Sequence, residues 1–449
     1  MRSYRSIPSP REWPIIGSAH RRFKSPLDFF LELKQKHGDA ARFTLFNERF
    51  LLFSEPSLVN EVLVTKQDAF RKGRALEGAK IFLGNSLLVS EGEEHARQRK
   101  LIQPAFHRGR IASYARVMAQ RALKWSEARA EGESIDLAQQ MNRLTLAVVA
   151  ETLFGSQVDA EANKVAESLT TIIANFNRML LPWWKLMRRL PTAANRRLQQ
   201  AQQQLDETIY RLIAQRRHDS HDYGDLLSML LAAEDAENPK LRLSDSEIRD
   251  QAMTLFIAGH ETTANALTWT WHLLARHESA RVRMKAEIDS VLVGGRSPEL
   301  EDMPRLPFTT AVFSESMRLF PPVWVIGRRA LRDIKIGDYE VPRRTIVLAS
   351  QYVLHRDPRY WPQAEEFLPE RWLDEAAQEA RPKYAYFPFG GGPRVCVGES
   401  FAWAEGVLML AVMAQNWRLE EALPGKPVEL HPSVTLRPKH GLNMIVRKA

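Results

Sequence analysis

The chain has one cysteine, Cys396, among its 449 residues. A single cysteine excludes an internal disulfide, so the fold does not depend on an oxidising compartment. Apolar runs are short: the longest covers about residues 406–414, whereas a membrane-spanning helix needs about 20 apolar residues. Residues 1–18 lack the apolar stretch of a signal peptide. We therefore expect a cytoplasmic protein without a transmembrane segment.

Linkers, low-complexity stretches and internal repeats are also missing, so we expect one domain over residues 1–449. We also expect a monomer. Lysine and arginine number 63 against 54 acidic residues, a net charge of +9. The basic residues occur as separate pairs. They are interpreted either as solvated helix faces or as a patch for an acidic protein partner. No nucleic-acid-binding motif is present, so we expect no nucleic acid partner.

The element pattern is dominated by helices. Ser244-Asp-Ser-Glu247 is a capping-box pattern, and it opens a proline-free segment that reaches Arg276. Such a helix would be about 50 Å long at 1.5 Å per residue. Its apolar middle predicts a central buried element. Further helices are expected over about 308–319 and 399–416.

Strands are expected in three places. Residues 41–54 have aromatic and β-branched residues around an asparagine, a pattern that predicts a β-hairpin. Residues 323–350 and the C-terminal end show similar patterns. The predicted class is α+β, predominantly α. It has a large helical part with a long central helix, and a small β-rich part over about 38–70, 323–350 and the C-terminal strands.

The segment Phe387–Ser400, FPFGGGPRVCVGES, surrounds the only cysteine. Glycines allow positive φ values, and the helix predicted just after Cys396 would favour a thiolate there. Arg394 adds positive charge nearby. Four interpretations compete: a buried structural thiol, a zinc ligand, a catalytic nucleophile and an axial ligand of haem iron. Zinc is disfavoured because no Cys/His spacing supplies the other ligands.

The order F-x-x-G-x-R-x-C-x-G is met by Phe389, Gly392, Arg394, Cys396 and Gly398. It resembles the haem-binding signature of the cytochrome P-450 superfamily. The resemblance implies a cytochrome P-450 fold and haem b (iron protoporphyrin IX) bound by the thiolate of Cys396 as axial ligand. The other four residues would contact the cofactor. The sequence looks most like bacterial fatty-acid, carotenoid and terpenoid hydroxylases.

AGHETT, Ala258–Thr263, resembles the oxygen-binding motif of the same family. The resemblance implies that Ala258 contacts the haem and that Glu261 and Thr262 are catalytic. Thr262 would hydrogen-bond oxygen, and Glu261 would relay protons. The alternative is a packing contact, because a glycine such as Gly259 permits the close approach of another helix. With the cysteine motif present, oxygen activation is the preferred interpretation.

Two further motifs fit the resemblance. Glu315-Ser-Met-Arg318 matches E-x-x-R, and Arg371 in PERW would complete a buried structural triad, with Trp372 in place of the usual phenylalanine. Alone, a Glu–Arg pair at i, i+3 is common on any helix.

His95 and Arg99 match W/H-x-x-x-R on a helix face, and together with Arg328 and Arg394 they would bind the haem propionates. The alternative for the first two is an ordinary basic helix face.

The resemblance implies a haem-thiolate monooxygenase that inserts one oxygen atom from O2 into an apolar substrate such as a fatty acid, terpenoid or carotenoid-like molecule. No flavin or ferredoxin segment is recognisable, so we expect electrons from a separate ferredoxin or flavodoxin with its reductase. The alternatives are a peroxide-driven peroxygenase and a haem-based sensor. The Glu261–Thr262 pair argues against both.

Expected pocket walls are largely apolar: 82–89, 176–184, Ala258, 323–326 and 433–436. Trp183 and Trp184 are interpreted either as a membrane-surface contact or as ordinary helix packing.

Overall fold

The protein is described by a computed structural model over residues 2–155, 162–175, 183–219, 221, 223–233 and 242–449. These residues form two compact units. The first unit is Met1–Glu77 with Ser314–Cys396, and the second is Gly78–Phe313 with Val397–Ala449. The assignment of residues 1–449 to a single domain stays a prediction.

Helices account for most of the described residues. In chain order they are α1 (Ala19–Lys24), α2 (Pro26–His37), α3 (Pro56–Asn60), α4 (Arg74–Leu83), α5 (Gly92–Ile102), α6 (Arg108–Glu127), α7 (Leu137–Phe154), α8 (Ala162–Asn175), α9 (Trp184–Met187), α10 (Ala193–His218), α11 (Leu226–Ala232), α12 (Asp245–Arg276), α13 (Glu278–Val291), α14 (Pro307–Leu319), α15 (Gln351–Leu354), α16 (Glu375–Ala380) and α17 (Glu399–Asn416).

The strands in the described ranges are β1 (Ala40–Leu45), β2 (Glu48–Phe53), β3 (Phe70–Lys72), β4 (Ser134–Asp136), β5 (Ile326–Ala330), β6 (Ile334–Ile336), β7 (Tyr339–Val341), β8 (Ile346–Ala349), β9 (Trp417–Glu421), β10 (Leu430–Pro432), β11 (Leu436–Pro438) and β12 (Asn443–Lys448).

The first unit is built on a five-stranded sheet in the order β1-β2-β8-β5-β3. Its strands pair antiparallel except for β2 and β8, which are parallel. Leu51 and Phe53 of β2 and Val347 and Ala349 of β8 belong to the buried core on this sheet. The sheet fixes the position of β5, which carries Arg328.

The second unit is organised around α12. Ser244 caps this 32-residue helix: its hydroxyl accepts from the Glu247 N–H at 3.3 Å, and the Glu247 carboxylate accepts from the Ser244 N–H at 2.8 Å. At 1.5 Å per residue the helix is about 48 Å long. It packs along α7, and α17 packs against α6. In α17 every residue from Ala404 to Ala414 is buried, as expected for a helix that is apolar on all sides.

The predicted class and main elements are confirmed. The hairpin appears as β1 and β2, the capped helix as α12, and the strands after Pro322 as β5–β8. The C-terminal strands belong to two small sheets. β9 and β12 join β4 in a sheet of the order β4-β12-β9, and β10 pairs with β11 in a hairpin. That hairpin packs close to α12 through side chains described below.

Candidate active site

Glycine shapes the loop that carries Cys396. Gly390 and Gly392 have φ values of 77° and 65°, where a side chain would be strained. A Cβ atom on Gly392 would also lie 2.1 Å from the carbonyl oxygen of Leu63. The Cys396 N–H donates to the carbonyl of Phe389 at 3.0 Å and closes the loop. The backbone path to the cysteine therefore requires glycine.

The Cys396 side chain is exposed rather than packed in the core. A thiol with a purely structural role is usually buried, so that interpretation finds no support. In the part of the chain that the structure describes, no group of three or more His, Cys, Asp or Glu side chains is arranged to hold a metal ion. The zinc interpretation therefore has no support there either.

Glu315 and Arg318 form a fully buried ion pair on α14. Arg318 donates to both carboxylate oxygens of Glu315 at 2.9 Å, in the bidentate geometry that arginine favours. Arg371 donates to Glu315 Oε1 at 3.0 Å. The structure thus brings together the three residues of the predicted triad. Arg318 also donates to three backbone carbonyls, those of residues 355, 364 and 366.

Trp372 is a fourth member of this cluster, which sequence reasoning treated only as a replacement for phenylalanine. Its indole N–H donates to Glu315 Oε2 at 2.8 Å. Phenylalanine has no donor there. The indole therefore satisfies a carboxylate oxygen that would otherwise have fewer partners in a buried site.

His355 connects the triad to the start of the cysteine segment, and sequence reasoning missed it. Its carbonyl accepts from Arg318, and its Nε2 accepts from the Phe387 N–H at 3.0 Å. Burial holds the pKa of His355 well below its usual range, so the ring is neutral and can accept at Nε2. The buried triad thereby fixes the backbone that leads to the glycine loop.

The AGHETT segment lies in the middle of α12. Ala258 is exposed, although the helix is mostly buried on either side. A Cβ on Gly259 would lie 3.1 Å from Val149 Cγ2 on α7, so this glycine serves helix packing. The Thr262 hydroxyl donates to the Ala258 carbonyl at 2.8 Å. Its proton is therefore directed back along the helix while its oxygen lone pairs stay available.

Glu261 is buried and turns toward the β10–β11 hairpin. Thr435 donates to Glu261 Oε1 at 2.8 Å, and Arg437 lies 3.9 Å from the same oxygen. Burial raises the pKa of Glu261, and the Thr435 hydrogen bond and the Arg437 charge oppose that rise. A carboxyl whose pKa is raised in this way keeps its proton to higher pH than an exposed carboxyl does, which suits a group that carries protons.

The predicted propionate ligands lie on three elements. α5 places His95 and Arg99 one turn apart, the first buried and the second half-buried. Arg328 on β5 is half-buried, whereas its neighbour Arg329 pairs with Glu48 at 3.3 Å. Arg394 lies in a short 3-10 turn before Cys396, and Gly398 directly precedes α17. Convergence of these residues on one cofactor stays a prediction.

A family model described as cytochrome P-450 matches residues 7–444, nearly the whole chain. The chain belongs to the cytochrome P-450 family. It is 40% identical over 437 residues to cyclooctatin synthase of Streptomyces melanosporofaciens, covering 97% of this chain and 94% of that protein. It is 38% identical over 431 residues to cyclooctat-9-en-7-ol 5-monooxygenase of the same organism, covering 94% and 92%.

The fold agrees with a solved cytochrome P-450. The crystal structure of the cytochrome P-450DA haem domain superposes with a TM-score of 0.88 at 28% identity, covering 99% of this chain and 98% of that one. This chain is a cytochrome P-450 monooxygenase, an oxidoreductase. None of the helices in the described ranges combines the length and hydropathy that a bilayer-spanning segment needs.

Membership of the cytochrome P-450 family implies a haem whose iron is bound by a cysteine thiolate. The residues of this chain fit that group. Cys396 is the only cysteine, its side chain is exposed, and thiolate is a soft ligand suited to iron. The predicted arginines have the planar donor geometry that binds carboxylates such as the haem propionates.

Most of the expected pocket wall 176–184 lies outside the described residues, which resume at residue 183. Trp183 is exposed and Trp184 is buried, so the two side chains do not form a shared exposed patch. Trp184 and Phe82 line a cleft of about 1010 Å³ in the second unit, whose other walls are largely polar and charged.

Glu405 is a second buried carboxyl, and sequence reasoning missed it. It lies in the buried part of α17 with no exposed surface. Burial raises the pKa of Glu405 to about 8, against a smaller lowering by the Thr263 hydroxyl of α12. The group is therefore mostly neutral at neutral pH. The sequence feature that could have identified it is a single acidic residue within an apolar segment.

Glu405→Gln is expected to stabilise the protein at high pH and to change little in acid. Because the folded-state pKa is raised from 4.5 to about 8, the wild type loses stability as pH rises through that interval. The uncharged amide avoids this loss, so the difference should reach the order of a few kcal/mol above pH about 8. Denaturant unfolding of both proteins from pH about 5 to about 9 measures it.

Glu379→Gln is the matched control, because Glu379 is exposed on α16. Because that side chain is exposed, the substitution should change the free energy of unfolding little. If the Glu405→Gln difference does not change with pH, Glu405 does not titrate as a buried acid.

Proposed function

We propose that Cys396 binds the iron of haem b as a thiolate and that the enzyme inserts one oxygen atom from O2 into an apolar, terpenoid-like substrate. The observation that carries this proposal is the exposed Cys396 thiol, which a glycine-dependent loop holds and a buried triad supports. When bound, such a haem supplies O2 activation, and its thiolate ligand favours O–O cleavage.

The chain's own residues would hold the cofactor by complementary chemistry. His95, Arg99, Arg328 and Arg394 would donate to the two haem carboxylates, since charge-assisted bonds to arginine are strong and can be bidentate. Small or flat side chains would contact the ring itself: Ala258, Phe389, Gly392 and Gly398. Glu315, Arg318 and Arg371 would act structurally, through the backbone of the cysteine segment.

Two residues of α12 would handle protons. The Glu261 carboxyl has a raised pKa because it is buried, so it would hold a proton to higher pH than an exposed carboxyl does and could pass it on. The Thr262 hydroxyl lies on the next residue and bonds to the Ala258 carbonyl. Rotation of that hydroxyl away from the carbonyl would let it donate to oxygen while accepting from a neighbouring proton source.

Electrons would come from a separate ferredoxin or flavodoxin with its own reductase. The net charge of +9 favours an acidic partner. The substrate class is supported by two relatives that cover most of the chain, one of them named for oxygenating cyclooctat-9-en-7-ol, an unsaturated cyclic alcohol.

Reconstitution with a ferredoxin, its reductase, NADPH and isotopically labelled O2 tests the proposal. Presented with cyclic terpenoid alcohols and with long-chain fatty acids, the enzyme should convert a terpenoid and place one labelled oxygen atom in the product. Reactions with peroxide and no reductase are the matched arm. Equal rates in that arm, with unlabelled product, would favour a peroxygenase. Turnover of the fatty acids alone would overturn the terpenoid assignment.

A further inference from the structure

The Glu261 carboxyl is held by the C-terminal hairpin rather than by solvent. β10 (Leu430–Pro432) and β11 (Leu436–Pro438) pair antiparallel, and Thr435 immediately precedes β11. Thr435 and Glu261 are 2% and 4% exposed, and their hydrogen bond spans 174 positions of the sequence. A buried contact between such distant segments fixes where the carboxyl can lie.

The direction of this hydrogen bond is set by a third residue. Asn265 Nδ2 donates to Thr435 Oγ1 at 3.1 Å, and Asn265 is also buried. A hydroxyl has only one proton. Because Asn265 donates to the hydroxyl oxygen, that proton is directed to Glu261. The arrangement therefore favours the carboxylate form of Glu261.

The hairpin is anchored along one face of α12. Glu261, Asn265 and Trp269 are spaced by four residues, so they share a helix face. The Trp269 indole N–H donates to the Leu436 carbonyl at 2.9 Å, and Trp269 has no exposed surface. The hydrogen bonds from Asn265 and Trp269 therefore hold the Thr435 hydroxyl next to Glu261.

Arg437 connects this buried cluster with water. Its guanidinium lies 3.9 Å from Glu261 Oε1, while a third of its side chain is exposed. It is a charged group that lowers the pKa of Glu261. His431 faces Arg437 across the hairpin, and its pKa is lowered by burial and by that arginine. His431 is therefore mainly neutral, and Arg437 supplies the positive charge at the partly exposed end of the cluster.

Two other titratable groups beside this part of α12, His260 and Glu405, are mainly uncharged near neutral pH. His260 is buried, and burial lowers its pKa while its Nδ1 contacts the Phe256 carbonyl. Glu405 of α17 is the carboxyl with the pKa of about 8, next to Thr263. Arg437 is therefore the charge acting on Glu261 that a substitution can remove most directly.

We propose that Thr435 and Arg437 are positioning residues that hold the Glu261 carboxylate against the β10–β11 hairpin and thereby set where, and at what pH, it takes up a proton from water. The step is a protonation: a carboxylate oxygen accepts a proton from solvent at the Arg437 side and becomes a carboxylic acid. This inference rests on the proposed function, in which Glu261 relays protons.

Infrared difference spectroscopy of the ferric enzyme across a pH titration tests the positioning without turnover. A band of a buried carboxylic acid should titrate in the wild type and be lost in Glu261→Gln. Removing either lowering influence raises the pKa further, so the midpoint should move to higher pH in Thr435→Val and in Arg437→Gln. Thr435→Ser and Arg437→Lys keep the hydroxyl and the charge and should titrate like the wild type.

Two further readouts separate the outcomes. Added salt should raise the wild-type midpoint and leave that of Arg437→Gln unchanged, because the charge of Arg437 is partly exposed to screening. The second readout is the turnover rate of the reconstituted enzyme as a function of pH. The part of this profile that disappears in Glu261→Gln should move to higher pH in Thr435→Val. Thr435→Val removes the hydrogen-bond acceptor of buried Asn265 and could impair folding. Arg437→Gln leaves that bond in place, so it tests the proposal independently.

If Glu261→Gln turns over normally at every pH, the relay role in the proposed function fails. If Glu261→Gln is impaired but Thr435→Val and Arg437→Gln titrate like the wild type, the relay stands and the positioning role of the hairpin is overturned.

Discussion

Cys396→Ser is expected to reduce substrate oxidation to the level of a reaction without enzyme. The reduced, carbon-monoxide-bound protein should also lose the thiolate-type absorption band, which reports the ligand opposite the gas. The chain has no second cysteine to replace this ligand. A serine hydroxyl is a harder and far less acidic group than a thiol, so it cannot supply the same electron donation to iron. Absorption spectra and product yield measure the two effects.

Ser400→Ala provides the control, because Ser400 is exposed and lies in the same segment. This variant should keep both the band and the activity, which shows that small changes near the loop are tolerated. A Cys396→Ser protein that retains the thiolate-type band and oxidises substrate would refute thiolate ligation, and the proposed function would fail with it.

Much of the fold is readable from the sequence because local chemistry specifies it. The capping box at Ser244 sets the start of α12, and the residues around Asn47 set the β1–β2 hairpin. The left-handed φ of Gly392 and its close approach to Leu63 explain why the cysteine segment needs glycine. The capping box and the hairpin depend on neighbours in the chain, and positive φ depends on backbone geometry, so one sequence is enough to predict them. The approach of Gly392 to Leu63 joins distant segments, and the sequence does not predict it.

The hydrogen-bond partners of the predicted residues are much harder to predict from the sequence. Glu261 was predicted as a proton relay, but nothing in the sequence connects it with Thr435 or Arg437, since only the fold brings the hairpin to that helix face. His355 and Trp372 were missed for the same reason. Their roles depend on hydrogen bonds to Phe387 and Glu315, which periodicity and motif spacing do not encode.

Breaking the buried triad of Glu315, Arg318 and Arg371 is expected to cause a large loss of stability. Arg318→Met removes a guanidinium with no exposed surface. The buried Glu315 carboxylate then keeps its hydrogen bonds from Arg371, Trp372 and the Leu368 N–H but loses its bidentate partner. Breaking one partner of a buried pair costs roughly 3–5 kcal/mol. Three backbone carbonyls also lose this donor. The bond to the His355 carbonyl is fully buried, and leaving such a group without a partner costs about 1–3 kcal/mol. We expect loss of cooperative unfolding or a large fall in stability, measured by thermal and denaturant unfolding.

Two variants make this result interpretable. Arg332→Gln removes an arginine from an exposed ion pair with Asp68 in the same unit, and it should change the free energy of unfolding little. The triple variant Glu315→Met, Arg318→Met, Arg371→Met removes all three charges of the cluster and should recover part of the loss, because an unpaired buried charge is worse than none. The His355 link carries the effect toward the cysteine segment, so haem content should fall with stability in Arg318→Met. Wild-type unfolding and haem content in Arg318→Met would mean that the triad does not support the cysteine loop.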